Sequence, residues 1–145
     1  MHPALYSVAA PGGQVLCRLC PHDCVIAPGR SGLCGVRQNR EGVLYSLNYG
    51  KAIALHVDPI EKKPLYHVYP GSRCFSIAAA GCNFRCRFCQ NHEISQIRPG
   101  QDVWGGREVT ARLVIEQAVA GGCRTLACTY TEPTVYYEYA LEICR

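Results

Sequence analysis

The chain has 145 residues, 48% of them apolar and 18% charged, with a formal net charge of +4. That is long enough for one ordinary core and too apolar for a disordered chain, while the mild, scattered positive charge argues against a nucleic-acid partner. No run nears the roughly 18 apolar residues of a membrane span, and the start, MHPALYSVAAPGG, lacks the basic n-region of a signal peptide, so a soluble cytoplasmic protein with no membrane partner is expected.

Residues 1 to 14 read as loosely ordered. Residues 17 to 37, CRLCPHDCVIAPGRSGLCGVR, read as a cysteine-rich knuckle, punctuated by Gly29, Gly32 and Gly35 and wrapped around a metal rather than built as a regular element. Val43, Tyr45, Leu47 and Tyr49 alternate with their neighbours as a strand does, and Ile53, Leu55 and Val57 repeat the pattern. The two segments are expected to pair as a hairpin. A short extended piece is expected at Leu65 to Tyr69. From Arg73, CFSIAAAG is a short and mostly non-alternating apolar run, the pattern of a parallel strand buried on both faces. The polar stretch 96–109 leads to a helix over Thr110 to Ala120, with Ala111, Val114, Ile115, Ala118 and Val119 at helical spacing and Gly121-Gly122 as its stop. RTLACTY is a second buried strand, TEPT a turn, and VYYEYALEICR a second helix. The expected fold is therefore α/β. A small Cys-rich, β-containing region (1–70) precedes two βα units in series (71–145).

Eleven cysteines are the compositional outlier. The count is odd and the cysteines are clustered, which favours metal binding over disulfides. Cys82, Cys86 and Cys89 follow the first buried strand, at the carboxyl end where α/β sheets hold their cofactors. Three thiolates are one short of a structural zinc shell, unless His92 or a remote residue completes it. On a four-iron cluster, three thiolates leave one iron open to a substrate or cofactor, which suits catalysis. The second set, Cys17, Cys20, Cys24 and Cys34, has four thiols at short spacing. It can close a zinc site or hold a second iron–sulfur cluster, in a structural or electron-relay role. His22 reads as exposed rather than ligating. Cys74, Cys123, Cys128 and Cys144 read as small hydrophobes, Tyr136, Tyr137 and Tyr139 as packing residues, and Arg85 and Arg87 as a solvated loop.

GCNFRCRFCQN resembles the cluster loop of the radical S-adenosylmethionine (SAM) superfamily, including the aromatic Phe88 before the last cysteine. The resemblance implies a 4Fe–4S cluster on Cys82, Cys86 and Cys89. SAM would chelate the fourth iron, and reductive cleavage would give a 5′-deoxyadenosyl radical that abstracts hydrogen from a substrate. It also implies a low-potential electron donor, and a substrate that is either a small molecule or a partner protein. Phe88 and the loop after the second strand, with Thr129, Thr131 and Glu132, would help hold SAM. That loop departs from the familiar Gly-Gly-Glu form, which puts the role of Glu132 in doubt. CRLCPHDC, GLCGVRQNREG, HVDPIEKKPLYHVYPGS and TYTEPTVYYEY, taken together, resemble the radical enzyme of the AmmeMemoRadiSam system, related to the activating enzymes of pyruvate formate-lyase.

Radical SAM folds are partial TIM-like barrels. A closed (β/α)8 barrel needs about 250 residues, so the chain is expected to be the N-terminal, truncated part of such an enzyme. A non-enzymatic zinc-binding module, or a catalytically dead fragment, is the alternative reading.

Overall fold

The computed structural model describes residues 1–97 and 106–145, which form a mixed α/β fold. Much of the polar stretch 96–109 lies outside the described residues. The strands are β1 (His2–Pro3), β2 (Ser7–Ala10), β3 (Gln14–Cys17), β4 (Cys24–Ile26), β5 (Arg37–Arg40), β6 (Val43–Ser46), β7 (Lys51–Ala52), β8 (Ala54–Pro59), β9 (Arg73–Ala78), β10 (Arg107–Glu108) and β11 (Cys123–Cys128). The α-helices are α1 (His92–Ser95), α2 (Ala111–Ala120) and α3 (Tyr137–Ile143). None of them is long and apolar enough to cross a membrane.

The sheet that carries the candidate chemistry has the order β8-β9-β11. β9 and β11 run parallel, with Phe75 opposite Leu126 and Ile77 opposite Cys128. From Cys74 to Ala80 every residue is buried, as the non-alternating apolar run predicts. Phe75, Ile77, Ala79 and Ala80 share one core with Val114 and Ala118 of α2 and Tyr139 and Ile143 of α3. Helix α2 begins where its cap allows: the Thr110 side chain accepts from the Leu113 N–H at 3.2 Å. The chain then turns through Gly122, at φ +65°. The second predicted helix opens as a 3-10 turn, Pro133–Tyr136, before α3. Tyr136 and Tyr139 are buried packing residues as expected, with the Tyr139 hydroxyl donating to the Val109 carbonyl.

Four expectations are corrected. Residues 1 to 14 are ordered, since β2 pairs with β3 over four residues and β1 with β6. The knuckle holds regular structure, because β3 continues into β4 as an antiparallel pair that opposes Cys17 to Cys24. The two alternating segments do not form a hairpin. β6 pairs with β5, and β8 pairs instead with β9, from Ala54 opposite Ala78 to Pro59 opposite Arg73. Alternation tells which side chains share a face and leaves the partner strand open. Residues 66–69 form bends rather than an extended strand.

A buried ion pair ties the N-terminal region to α3. Arg37 donates from Nη1 to both carboxylate oxygens of Glu138 at 3.0 Å and from Nη2 to the Leu5 carbonyl at 2.6 Å. The Leu5 N–H in turn donates to Glu138 at 2.7 Å.

Candidate metal and cofactor site

Cys82, Cys86 and Cys89 stand on the loop that leaves β9. The loop starts at Gly81, whose φ of +94° is a left-handed value that glycine adopts without a Cβ clash. The close neighbours make that choice obligatory. A Cβ there would lie 2.6 Å from Val36 Cγ1 and 2.9 Å from the Cys34 carbonyl oxygen. The knuckle therefore packs directly on the first residue of the loop. The carbonyls just upstream are also fixed, with Thr131 Oγ1 donating to Ala79 at 2.7 Å and Asn48 Nδ2 to Ala80 at 2.8 Å.

Cys82 is buried, Cys89 half-buried and Cys86 exposed. The Phe84 N–H lies 3.4 Å from Cys82 Sγ, and Ser95 Oγ lies 3.5 Å from Cys89 Sγ. Phe88 is 87% exposed, and Arg87 and His92 are exposed on the same stretch. Arg85 is corrected: although exposed, it is a brace and not an idle solvated side chain. It donates to the Cys82 and Phe84 carbonyls at 3.1 Å and to the Leu33 carbonyl in the knuckle. His22 Nε2 makes a second bridge, 2.8 Å from the Asn83 carbonyl oxygen.

The loop after β11 comes to the same end of the sheet. Tyr130 sits at φ +65° in a tight turn closed by the Thr131 N–H to the Thr129 carbonyl at 2.8 Å. Asn91, two residues beyond Cys89, donates to the Tyr130 carbonyl at 3.1 Å and so joins the two loops. The Glu132 side chain accepts from the Thr134 N–H and hydroxyl, a cap on the following turn. The Thr131 side chain is engaged with the Ala79 carbonyl just past β9, as described. Thr129 donates its N–H to the Ile77 carbonyl at 2.9 Å.

Sequence reasoning missed Asp58, the hub beneath this loop. Its carboxylate accepts from Tyr130 Oη at 2.6 Å, Ser76 Oγ at 2.7 Å, Lys63 Nζ at 2.8 Å and Lys62 Nζ at 2.9 Å. Burial works to raise the Asp58 pKa, and the hydrogen bonds from Lys63, Tyr130, Ser76 and Lys62 more than reverse that, holding it well below the usual carboxylate range. The dipeptide Lys62-Lys63 was the only signal, and it reads equally as a solvated face.

Among the described residues, no three His, Cys, Asp or Glu side chains stand ready to hold a single metal ion. A four-iron cluster holds its thiolates apart across a cage, and the donor set here suits it: three soft thiols, with backbone and hydroxyl groups beside two of the sulfurs. Four further cysteines, Cys17, Cys20, Cys24 and Cys34, line one cavity of about 20 Å³. Burial pushes the Cys34 thiol up, against the backbone N–H groups of Val36 and Arg37 and the Arg37 charge.

Residues 76–145 match the sequence model of the radical SAM superfamily. The match runs from within β9 through the three-cysteine loop, β11 and α3. The chain is also 45% identical over 139 residues to an uncharacterized protein of Methanocaldococcus jannaschii, covering 96% of this chain and 41% of that relative. It thus spans about two-fifths of the relative's length. No solved structure matches.

Proposed function

We propose that this chain, whose residues 76–145 match the sequence model of the radical SAM superfamily, belongs to that superfamily and carries the cluster-binding part of a radical SAM enzyme. Cys82, Cys86 and Cys89 would hold a 4Fe–4S cluster through their thiolates, leaving one iron for the amino and carboxylate groups of SAM. When bound, cluster and SAM together supply one-electron cleavage of the sulfonium and hydrogen-atom abstraction, with the electron coming from an external low-potential donor. The chain's own residues do the positioning. Gly81, Arg85 and His22 seat the cysteine loop against the knuckle. Asn91 ties that loop to the Tyr130 turn. Asp58 fixes Tyr130 from below, and so sets the backbone of Thr129, Thr131 and Glu132, offered here as SAM-binding groups. Phe88, exposed beside Cys89, would cover the bound cofactor.

The observation that carries this reading is the meeting of two loops at one sheet end, the three-cysteine loop after β9 and the Tyr130 turn after β11. Within the superfamily we assign the chain to the AmmeMemoRadiSam type, close to the glycyl-radical activating enzymes, on its resemblant segments. The substrate, a partner protein or a small molecule, belongs to the whole enzyme.

The test is reductive cleavage. Protein loaded with iron and sulfide without oxygen is reduced in the presence of SAM, and 5′-deoxyadenosine is quantified. Product formed by the native chain and absent from Cys86→Ala is expected. Equal yields from both would overturn the assignment.

A further inference from the structure

We infer that Cys17, Cys20, Cys24 and Cys34 form a structural zinc site, separate from the three-cysteine loop, that braces that loop. Three observations converge on it.

The first is placement. Cys17 closes β3 and Cys24 opens β4 directly opposite it, Cys20 lies in the turn between them, and buried Cys34 arrives from the next segment. All four line the same cavity. The second is size. The cavity is about 20 Å³, close to the ~10–15 Å³ that a single water needs. That is room for one ion. The third is an unpaired group. Asn83 joins the lining, and its buried Oδ1 has no hydrogen-bond partner among the described residues.

The thiols do not yet stand at ligating distance from a common point. Zn–S bonds of about 2.3 Å would draw them inward by rotation about Cα–Cβ between staggered wells. Four thiolates then complete a tetrahedral shell with no open position, which is the signature of a structural rather than a catalytic ion. The knuckle so fixed touches the cysteine loop at three places: Gly81 against Val36 and the Cys34 carbonyl, His22 at the Asn83 carbonyl, and Arg85 at the Leu33 carbonyl. The ion would set the floor on which the cluster loop rests.

The experiment uses the full chain with Cys82, Cys86 and Cys89 all changed to alanine, so that its outcome is independent of the radical reading. The variant is expressed with zinc, and metal and acid-labile sulfide are counted. About one zinc per chain and no sulfide is expected. Alkylation of the native-state thiols, mapped by peptide, should show Cys17, Cys20, Cys24 and Cys34 protected with zinc and labelled after chelation. Cobalt in place of zinc should give the intense thiolate-to-metal absorption of a four-sulfur tetrahedral site. Cys34→Ser should weaken cobalt binding at least tenfold. The footprint and the cobalt spectrum need no ligand substitution, so they decide the matter even if Cys34→Ser does not fold. Folded protein that takes up no zinc, iron with sulfide retained in the triple variant, or protection of any other four cysteines would overturn the inference.

Discussion

Gly81→Ala isolates the contact between the knuckle and the three-cysteine loop. The new methyl would be built at φ +94°, 2.6 and 2.8 Å from the two Val36 methyls and 2.9 Å from the Cys34 carbonyl oxygen. The left-handed backbone alone costs about 1–2 kcal/mol for a residue with a Cβ. Overpacking against a buried neighbour adds about 1–3 kcal/mol. The sum, about 2–5 kcal/mol, is a large fraction of the ~5–15 kcal/mol stability of a domain. Urea unfolding should show it as a lower midpoint at unchanged slope. Val36→Ala removes both clashing methyls and leaves the carbonyl contact and the backbone strain. The double variant should therefore be more stable than the two single changes predict, by about 1–2 kcal/mol of coupling, without full recovery. Because Gly81 precedes Cys82, iron retention should fall with Gly81→Ala and recover in part in the double variant. A Gly81→Ala protein within about 0.5 kcal/mol of the native chain, or strictly additive changes, would refute the close approach.

Glu138→Ala leaves Arg37, 2% exposed, without its carboxylate, and should cost about 3–5 kcal/mol; an unfolding midpoint equal to that of the native chain would contradict the buried pair. Asp58→Asn removes the charge that Lys63 and Lys62 answer and should cost about 1.5–3 kcal/mol near neutral pH. The folded Asp58 pKa is depressed, so its stabilisation is complete above the unfolded value of about 4 and drains away as pH falls below it. Acid unfolding followed by circular dichroism should be steeper below that pH in the native chain than in Asp58→Asn. Tyr130→Phe breaks the 2.6 Å bond to Asp58; calorimetric titration of the cluster-loaded protein should show weaker SAM binding at unchanged iron content.

The elements that could be read from sequence are those whose pattern is fixed by their own burial. β9 is enclosed on both faces, so its apolar run is continuous. α2 buries Ala111, Val114 and Ala118, which gives it a 3.6-residue period, and Thr110 marks its start. The three loop cysteines stand out in the sequence because their spacing is local. What stayed hidden depends on long-range partners. β8 carries the right alternation, but only the folded sheet shows that it lies beside β9 and not β6. β2 and β3 are joined through Pro11, Gly12 and Gly13, which read as disorder when nothing shows that the flanking strands pair. Asp58, Arg85 and Glu138 look like surface charges in the sequence, and each has a partner distant in the chain: Asp58 in Ser76 and Tyr130, Arg85 in Leu33, Glu138 in Arg37 and Leu5. The N-terminal cysteines were visible as a set, but it took the fold to place all four around one small cavity.

The central claim is that Cys82, Cys86 and Cys89 together hold an iron–sulfur cluster. Iron and acid-labile sulfide should be counted per polypeptide in oxygen-free protein after reconstitution, for the native chain and for Cys86→Ala. About four irons with matching sulfide in the native chain, and loss of most of both in the variant, is the predicted result. Folded native protein that holds only zinc, or a variant that retains the full complement of iron and sulfide, would contradict the account.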